Sequence, residues 1–367
     1  MRSKNRKIVK ILMTGGETMG PVTPLLALVD AIKLKKDAET RTEFLWIGTK
    51  TGPEKEMIKR EKLEFKSIKC GKLRRYFSLK NFIDPIFIIY GFFESLFIIK
   101  KWKPSIVVSA GGFVGVPVVW AAFIMRVPIL VHQQDTRPGL ANKLMAPLAS
   151  IITVTFEKSL EDYGKKAVWT GNPSRNKLMD FKINRRTALQ KLGLHDKLPV
   201  VLFLGGGTGA EAINGLVKES LGELIKFAQV LHLTGKGKDI KMKYDVKNYR
   251  QFDFLYIEGM AKVFTAADIV VSRAGMGALT EVSLLKKPAI LIPIPDSHQE
   301  DNARVFKDNK VALVLDQKKL NKNEFIKSIK SLLNNFELKA RYSENISKIF
   351  KKQANEKIIE IIWKTVI

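Results

Sequence analysis

The stretch Ala267-Asp268-Ile269-Val270-Val271-Ser272-Arg273-Ala274-Gly275-Met276-Gly277-Ala278-Leu279-Thr280-Glu281, with Pro293-Ile294-Pro295-Asp296-Ser297-His298-Gln299-Glu300-Asp301-Asn302 after it, decides the fold. It reads as a buried strand, a glycine turn, a helix start, a second apolar strand and a polar loop. A strand that turns through glycine into a helix aims free backbone N–H groups and the positive helix end at one point. A phosphate or diphosphate suits that point. Glu281 falls about a turn into the helix, where a carboxylate can hold a ribose hydroxyl. The polar loop adds amides and His298 for a sugar-like group, so the stretch describes a nucleotide-sugar pocket.

Working outward, strand-length apolar runs at 8–13, 42–47, 106–109, 129–132 and 151–154 alternate with helical patterns. Such alternation predicts a parallel sheet wrapped by helices. Thr170-Gly171-Asn172-Pro173 punctuates the chain, and the pattern restarts with strands expected at 200–204, 228–233, 251–257, 269–272, 289–292 and 312–314. The economical reading is two doubly wound units joined near residues 170–175. The tail from Asn334 is helical in pattern and rich in lysine. Glycine turns also follow the first strand of each unit, at Thr14-Gly15-Gly16-Glu17-Thr18 and at Gly205-Gly206-Gly207-Thr208-Gly209, and a third lies at Gly111-Gly112. Open α/β sheets bind ligands at the strand C-terminal ends, where these turns lie.

A dinucleotide-dehydrogenase reading fails, because Glu17 and Met19 interrupt the first loop and Gly48-Thr49 stand where an acidic residue belongs. No Gly-Lys-Ser/Thr follows any loop, so a P-loop reading fails too. The 367 residues allow two α/β domains, and 46% hydrophobic content allows a full core. Sixty-three basic against 36 acidic residues give a net charge of +27, which favours anionic partners. No nucleic-acid-binding module appears. Cys70 is the single cysteine, so no intrachain disulfide forms and a reducing compartment fits. The basic start leads directly into a first strand rather than a secretory signal.

These blocks, in this order, resemble the MurG family, the lipid-linked N-acetylglucosaminyltransferases of peptidoglycan synthesis. The matching residues are Thr14-Gly15-Gly16 with Pro24, Gly111-Gly112-Phe113-Val114, His132-Gln133-Gln134-Asp135, Gly139-Leu140-Ala141-Asn142-Lys143, Gly171-Asn172-Pro173-Ser174-Arg175, Gly205 to Ala210 with Asn214, Ile257-Glu258-Gly259-Met260-Ala261, Arg273-Ala274-Gly275 with Glu281, and Gln299 with Asn302-Ala303. The resemblance implies an α/β fold of the GT-B type, with two Rossmann-like doubly wound domains facing across a cleft. We place the acceptor and membrane-facing domain at 1–170 and the UDP-sugar domain at 171–344, with a helix over about 345–367 packing back on the first.

The implied reaction is inverting transfer of N-acetylglucosamine from UDP-N-acetylglucosamine to lipid I, the undecaprenyl-diphosphate-linked muramyl peptide, giving lipid II. By position, Ile257 meets uracil with Met260 beside it, and Glu281 holds the ribose. Met276, Gly277 and Ala278 offer amides to the diphosphate, and Gly207 and Thr208 close over it. Arg175, Gln299 and Asn302 contact phosphate or sugar, and Gly16, Thr18 and Asp135 join the acceptor side. Three positions depart from the family. Its first loop ends Gly-Gly-His where this chain has Met19-Gly20-Pro21; its His-Glu-Gln-Asn is His132-Gln133-Gln134-Asp135; and its loop serine is Gly207.

The chemistry needs a base for the acceptor hydroxyl, and the residues leave it between Asp135 and His132, with Glu17 a further carboxylate in the first loop. Arg273 is a possible structural ion-pair partner. No Asp-x-Asp pair follows a strand, so neither a metal nor a cofactor is expected. The run from Phe82 to Ile99 is too interrupted for a spanning helix and is flanked by Lys69, Lys72, Arg74, Arg75, Lys80, Lys100, Lys101 and Lys103. It reads as an amphipathic helix docking on an anionic membrane, which places the protein peripherally on the cytoplasmic face of the bacterial plasma membrane. Two other readings stay open: another UDP-sugar-dependent glycolipid glycosyltransferase, or a non-catalytic nucleotide-sugar-binding homologue.

Overall fold

A computed structural model describes residues 7–35, 40–71, 80–175, 177–205, 210–240 and 246–366. The chain divides into two compact units, one of Met1–Arg175 with Lys351–Ile367 and one of Asn176–Phe350. Each is a parallel sheet wrapped by helices, as alternating strand and helix patterns require.

Unit 1 holds β1 (Lys7–Thr14), β2 (Thr40–Thr49), β3 (Glu64–Ile68), β4 (Ile106–Ser109), β5 (Ile129–Gln133), β6 (Ile151–Val154) and β7 (Ala167–Trp169). They form one seven-stranded sheet in the order β3-β2-β1-β4-β5-β6-β7. The order reverses beside β1, which places the β1 and β4 C-terminal ends at the switch point where open sheets take ligands. Ile106, Val107, Val108 and Ser109 are all buried, as expected for a strand covered on both faces. Helix Ala354–Val366 packs on helix Val22–Leu34. Its Ile358, Ile359, Ile361 and Ile362 join Leu25, Leu28, Ile32 and Trp46 in one core.

Unit 2 holds β8 (Val200–Leu204), β9 (Gln229–Leu233), β10 (Tyr249–Phe252), β11 (Ile269–Ser272), β12 (Ala289–Leu291) and β13 (Leu313–Val314). Their order is β10-β9-β8-β11-β12-β13. The expected strand over 251–257 is corrected: the strand ends at Phe252, and a helix, Ile257–Ala266, begins where the strand was to finish. Tyr256 caps that helix with extended backbone, so the apolar run 254–257 is a connection rather than sheet. Strands β3 and β7 were not expected; both lie at sheet edges and pair on one side only.

The C-terminal helix is part of the unit 1 core. Ile362→Ala removes a fully buried side chain and should lower unfolding free energy by about 2–5 kcal/mol. Urea denaturation followed by circular dichroism checks this; an unchanged midpoint contradicts it.

Candidate functional site

In unit 2 the glycine turn after β11 is welded to the loop after β12. Arg273 is buried, and its Nη1 donates to the carbonyls of Ile292 at 2.9 Å and Pro293 at 3.2 Å. Arg273 has no carboxylate partner among the described residues, so the ion-pair expectation is corrected: the guanidinium pins backbone. Burial lowers its pKa. Asn302, fully buried, donates Nδ2–H to the carbonyl of Ala274 at 3.1 Å. Ser297 caps helix His298–Asp308 by accepting from the N–H of Gln299 at 3.2 Å, and its hydroxyl donates to the carbonyl of Ile294 at 2.7 Å. That cap stations Gln299, whose Nε2 lies 3.7 Å from the Cβ position at Gly275.

Helix Met276–Leu284 therefore starts beside Gln299, with Gly275 as its cap. A Cβ at Gly277 would meet nothing within 4 Å, so space opens over the first turn. The first N–H groups of a helix have no partner within it. Glu281 lies further along the same helix, and burial pushes its carboxyl from 4.5 up to about 7. The contacts thus bring Gln299 and Asn302 to the turn from which Met276, Gly277 and Ala278 start the helix, and Glu281 follows along that helix. Ile257 and Met260 open a separate helix, where the N–H of Met260 donates to Tyr256 at 2.8 Å. Gly207 and Thr208 lie outside the described residues.

In unit 1 three loops meet at the ends of β1, β4 and β5. Gly111 and Gly112 take positive φ of 104° and 83°, open to glycine at little cost. A Cβ on Gly112 would stand 3.0 Å from the carbonyl oxygen of Gly16, so the first two glycine loops are packed backbone to backbone. Gln134 donates Nε2–H to the carbonyl of Ala110 at 3.1 Å, joining the β5 end to the same place. Thr18 is exposed in the first loop.

The two base candidates differ. His132 is fully buried. Its Nε2–H donates to Asn172 Oδ1 and its Nδ1 accepts from Thr153 Oγ1, both at 2.9 Å. Burial lowers its pKa to about 4, against the upward pull of the Asn172 hydrogen bond. Both ring nitrogens are spent on neighbours. Asp135 is half-buried in the loop after β5. That loop is tied by Gln133, whose Nε2 donates to the carbonyls of Asp135 at 2.7 Å and Arg137 at 3.3 Å. Gln133 Oε1 accepts from Tyr163 at 3.0 Å and from Asn142. An amide at 133 can donate twice, which a carboxylate cannot.

Arg175, expected to contact phosphate or sugar, makes ion pairs within unit 1. It pairs through Nε with Asp30 at 2.8 Å and through Nη2 with Glu61 at 2.7 Å. Asp30 is late in helix Val22–Leu34 and Glu61 closes helix Glu54–Arg60. Sequence reasoning also missed Glu54, buried beneath the first loop. The only trace of it is the set Gly16, Gly48 and Gly52, whose purpose appears once they are packed on its side chain.

Residues 11–154 match the glycosyltransferase family 28 N-terminal domain, and residues 200–359 match the family 28 C-terminal domain. The UDP-N-acetylglucosamine--N-acetylmuramyl-(pentapeptide) pyrophosphoryl-undecaprenol N-acetylglucosamine transferase of Clostridium tetani is 39% identical, over 97% of this chain and 98% of that protein. Among solved structures, Acinetobacter baumannii MurG aligns at a TM-score of 0.71 with 22% identity, covering 97% of this chain and 99% of that one. The glycosyltransferase of kitacinnamycin aligns at 0.74 with 12% identity, covering 99% and 100%. These two share the GT-B fold with this chain.

The Glu281 carboxyl gives a pH signature. Its folded-state pKa is raised, so its contribution to stability is full below about 4.5 and is lost as pH climbs through about 7. Urea unfolding at pH 5 and pH 8 should show wild type losing on the order of 3 kcal/mol relative to Glu281→Gln. Parallel pH dependence of the two proteins contradicts this.

Proposed function

The chain belongs to the MurG family within glycosyltransferase family 28, and from that membership we propose that it transfers N-acetylglucosamine from UDP-N-acetylglucosamine to lipid I, forming lipid II of the bacterial cell wall. The observation that carries the donor half is the turn Arg273-Ala274-Gly275, fixed by Asn302, delivering an open helix N-terminus beside Gln299.

The reaction is one displacement. A sugar hydroxyl of lipid I attacks the anomeric carbon as its proton passes to a base. The bond from that carbon to the β-phosphate oxygen breaks with inversion, and UDP leaves carrying the electron pair. Asp135 is the base in this reading, because it is an ionisable group in the β5 loop with surface open to solvent. His132 serves as the pin that holds β5 against β6 and residue 172. The leaving charge falls on the amides of Met276, Gly277 and Ala278. One helix end contributes about 0.3–2 kcal/mol, whereas several aimed donors in a dry site contribute ~3 kcal/mol each. Glu281 takes the ribose, Ile257 and Met260 the uracil, Gln299 the sugar, and Gly16 and Thr18 the acceptor diphosphate. Asn302 acts through the turn it holds.

Helix Lys80–Trp102 is the membrane contact in this reading. Gly91, Ser95 and Ile99 face inward, while Ile86, Ile89, Tyr90, Phe93 and Phe97 form an exposed stripe, with Phe93 63% and Phe97 69% exposed. Helix Gly115–Ile124 packs beside it and adds exposed Phe123 and Ile124. Lys100, Lys101, Lys103 and Arg126 are exposed around this face, and the Lys69 ammonium stands 5.0 Å from the Tyr90 ring centroid. Lys72, Arg74 and Arg75 lie outside the described residues. Among the described residues no helix is long and apolar enough to cross a membrane. Apolar burial and roughly 1 kcal/mol per nearby cation would hold the stripe on an anionic leaflet.

Purified protein given UDP-N-acetylglucosamine and a lipid I analogue should release UDP and form the disaccharide product, with turnover persisting in a chelator. Asp135→Asn should lower kcat by 10²–10⁴-fold, the usual span of a general base. Absence of product, or Asp135→Asn at full rate, overturns the respective assignment. Vesicles of phosphatidylglycerol should bind the protein at low salt, and Phe93→Asp with Phe97→Asp should abolish that sedimentation; equal sedimentation of wild type and variant contradicts the docking face.

A further inference from the structure

Glu54 is a buried carboxylate for which the reaction above has no use. It opens helix Glu54–Arg60 and is fully buried, and no cation pairs with it among the described residues. Its oxygens serve three donors instead. Oε1 accepts from the N–H of Thr49 at 2.7 Å and from Thr49 Oγ1 at 2.5 Å. Oε2 accepts from the N–H of Glu17 at 3.2 Å. Thr49 ends β2 and Glu17 lies in the loop after β1, so one side chain ties together the exits of two neighbouring strands.

The glycines around it leave it room. A Cβ on Gly16 or Gly52 would collide with the Glu54 carboxylate, and one on Gly48 would stand 3.0 Å from its Cγ. Both loops therefore make room for this carboxylate. Glu17 meanwhile takes φ of 67°, a left-handed conformation that costs a residue with a Cβ about 1–2 kcal/mol. The hydrogen bond from its N–H to Glu54 holds it there. On the other side, Trp46 donates Nε1–H to the carbonyl of Gly15 at 3.0 Å, and Gly112 backs onto Gly16. The first glycine loop is fixed from both sides, and exposed Thr18 is carried on it.

A negative charge beneath an anion seat weakens anion binding by Coulomb repulsion. The benefit of Glu54 is therefore geometric. We infer that Glu54 is a positioning residue for the lipid acceptor: it locks the loop Gly15-Gly16-Glu17-Thr18 in the shape that receives the acceptor's diphosphate. This rests on the reading that the first loop seats the acceptor.

Glu54→Gln separates the two halves of the contact. An amide keeps Oε1 for Thr49 but turns an NH₂ toward the N–H of Glu17, donor against donor. Reversing the amide would face the NH₂ to the N–H of Thr49, which is no better. Steady-state kinetics with a lipid I analogue should show the acceptor KM rising about tenfold or more, the scale of a hydrogen bond to a charged group. The donor KM should stay within about twofold and Tm within a few degrees, since the Thr49 contact and unit 2 are untouched. Gly52→Ala, which pushes on the same carboxylate from outside the acceptor loop, should raise the acceptor KM in the same way. An unchanged acceptor KM in both variants overturns the inference, as does a fall in kcat and Tm with neither KM altered. Wild-type turnover with unaltered variants removes this inference alone; wild type without product removes the function and the inference together.

Discussion

The donor half of this protein depends on one arrangement of buried hydrogen bonds. Arg273 and Asn302 reach in opposite directions, one from the β11 turn to the carbonyls after β12, the other from the helix after β12 back to the turn. A glycine turn on its own is free to vary. Held at two points, it delivers helix Met276–Leu284 to a fixed place. A guanidinium and an amide are large polar groups to bury, and a buried polar group is tolerated only when bonded. Both find partners in backbone carbonyls of the turn and the strand exit, while Arg273 Nε is left buried without one.

Unit 1 solves the same problem differently. Its strand exits carry two glycine loops packed against each other, a carboxylate from below and a tryptophan from the side. His132 and Gln133 do for β5 what Arg273 does for β11, with neutral groups in place of a cation. The consequence is chemical. Position 133 carries an amide that donates to two loop carbonyls, and the carboxylate stands at 135, nearer the surface. A buried carboxylate at 133 could not make those two bonds. The departure from the family's His-Glu-Gln-Asn thus accompanies a loop held by donation.

The parts legible in the sequence were those governed by strong local signals. Strands at 106–109, 151–154, 200–204 and 269–272 are short, mostly apolar runs, and the structure has them at those bounds. Edge strands gave weaker signals: Glu64–Ile68 has only Phe65 and Ile68 as apolar residues, and Ala167–Trp169 is three residues long. The run Phe254-Leu255-Tyr256-Ile257 looks like strand because apolar character cannot separate a strand from a packed connection. For the sites, the residues near the turn after β11 follow from motif order. What Arg175 does was invisible, because its partners Asp30 and Glu61 are distant in sequence and lie in the same unit. Glu54 was invisible for the same reason; glycines at 16, 48 and 52 acquire a meaning only when folded around it.

The central claim is that the helix start at Met276, with Glu281 behind it, holds a uridine diphosphate. Isothermal titration of UDP into wild type, Glu281→Ala and Asp135→Asn tests it most directly. The account predicts saturable heat for wild type and Asp135→Asn alike, and at least a tenfold weaker affinity for Glu281→Ala, as expected when a charge-accepting hydrogen bond is lost. Equal affinity in all three proteins, or no uridine-dependent heat in wild type, contradicts it.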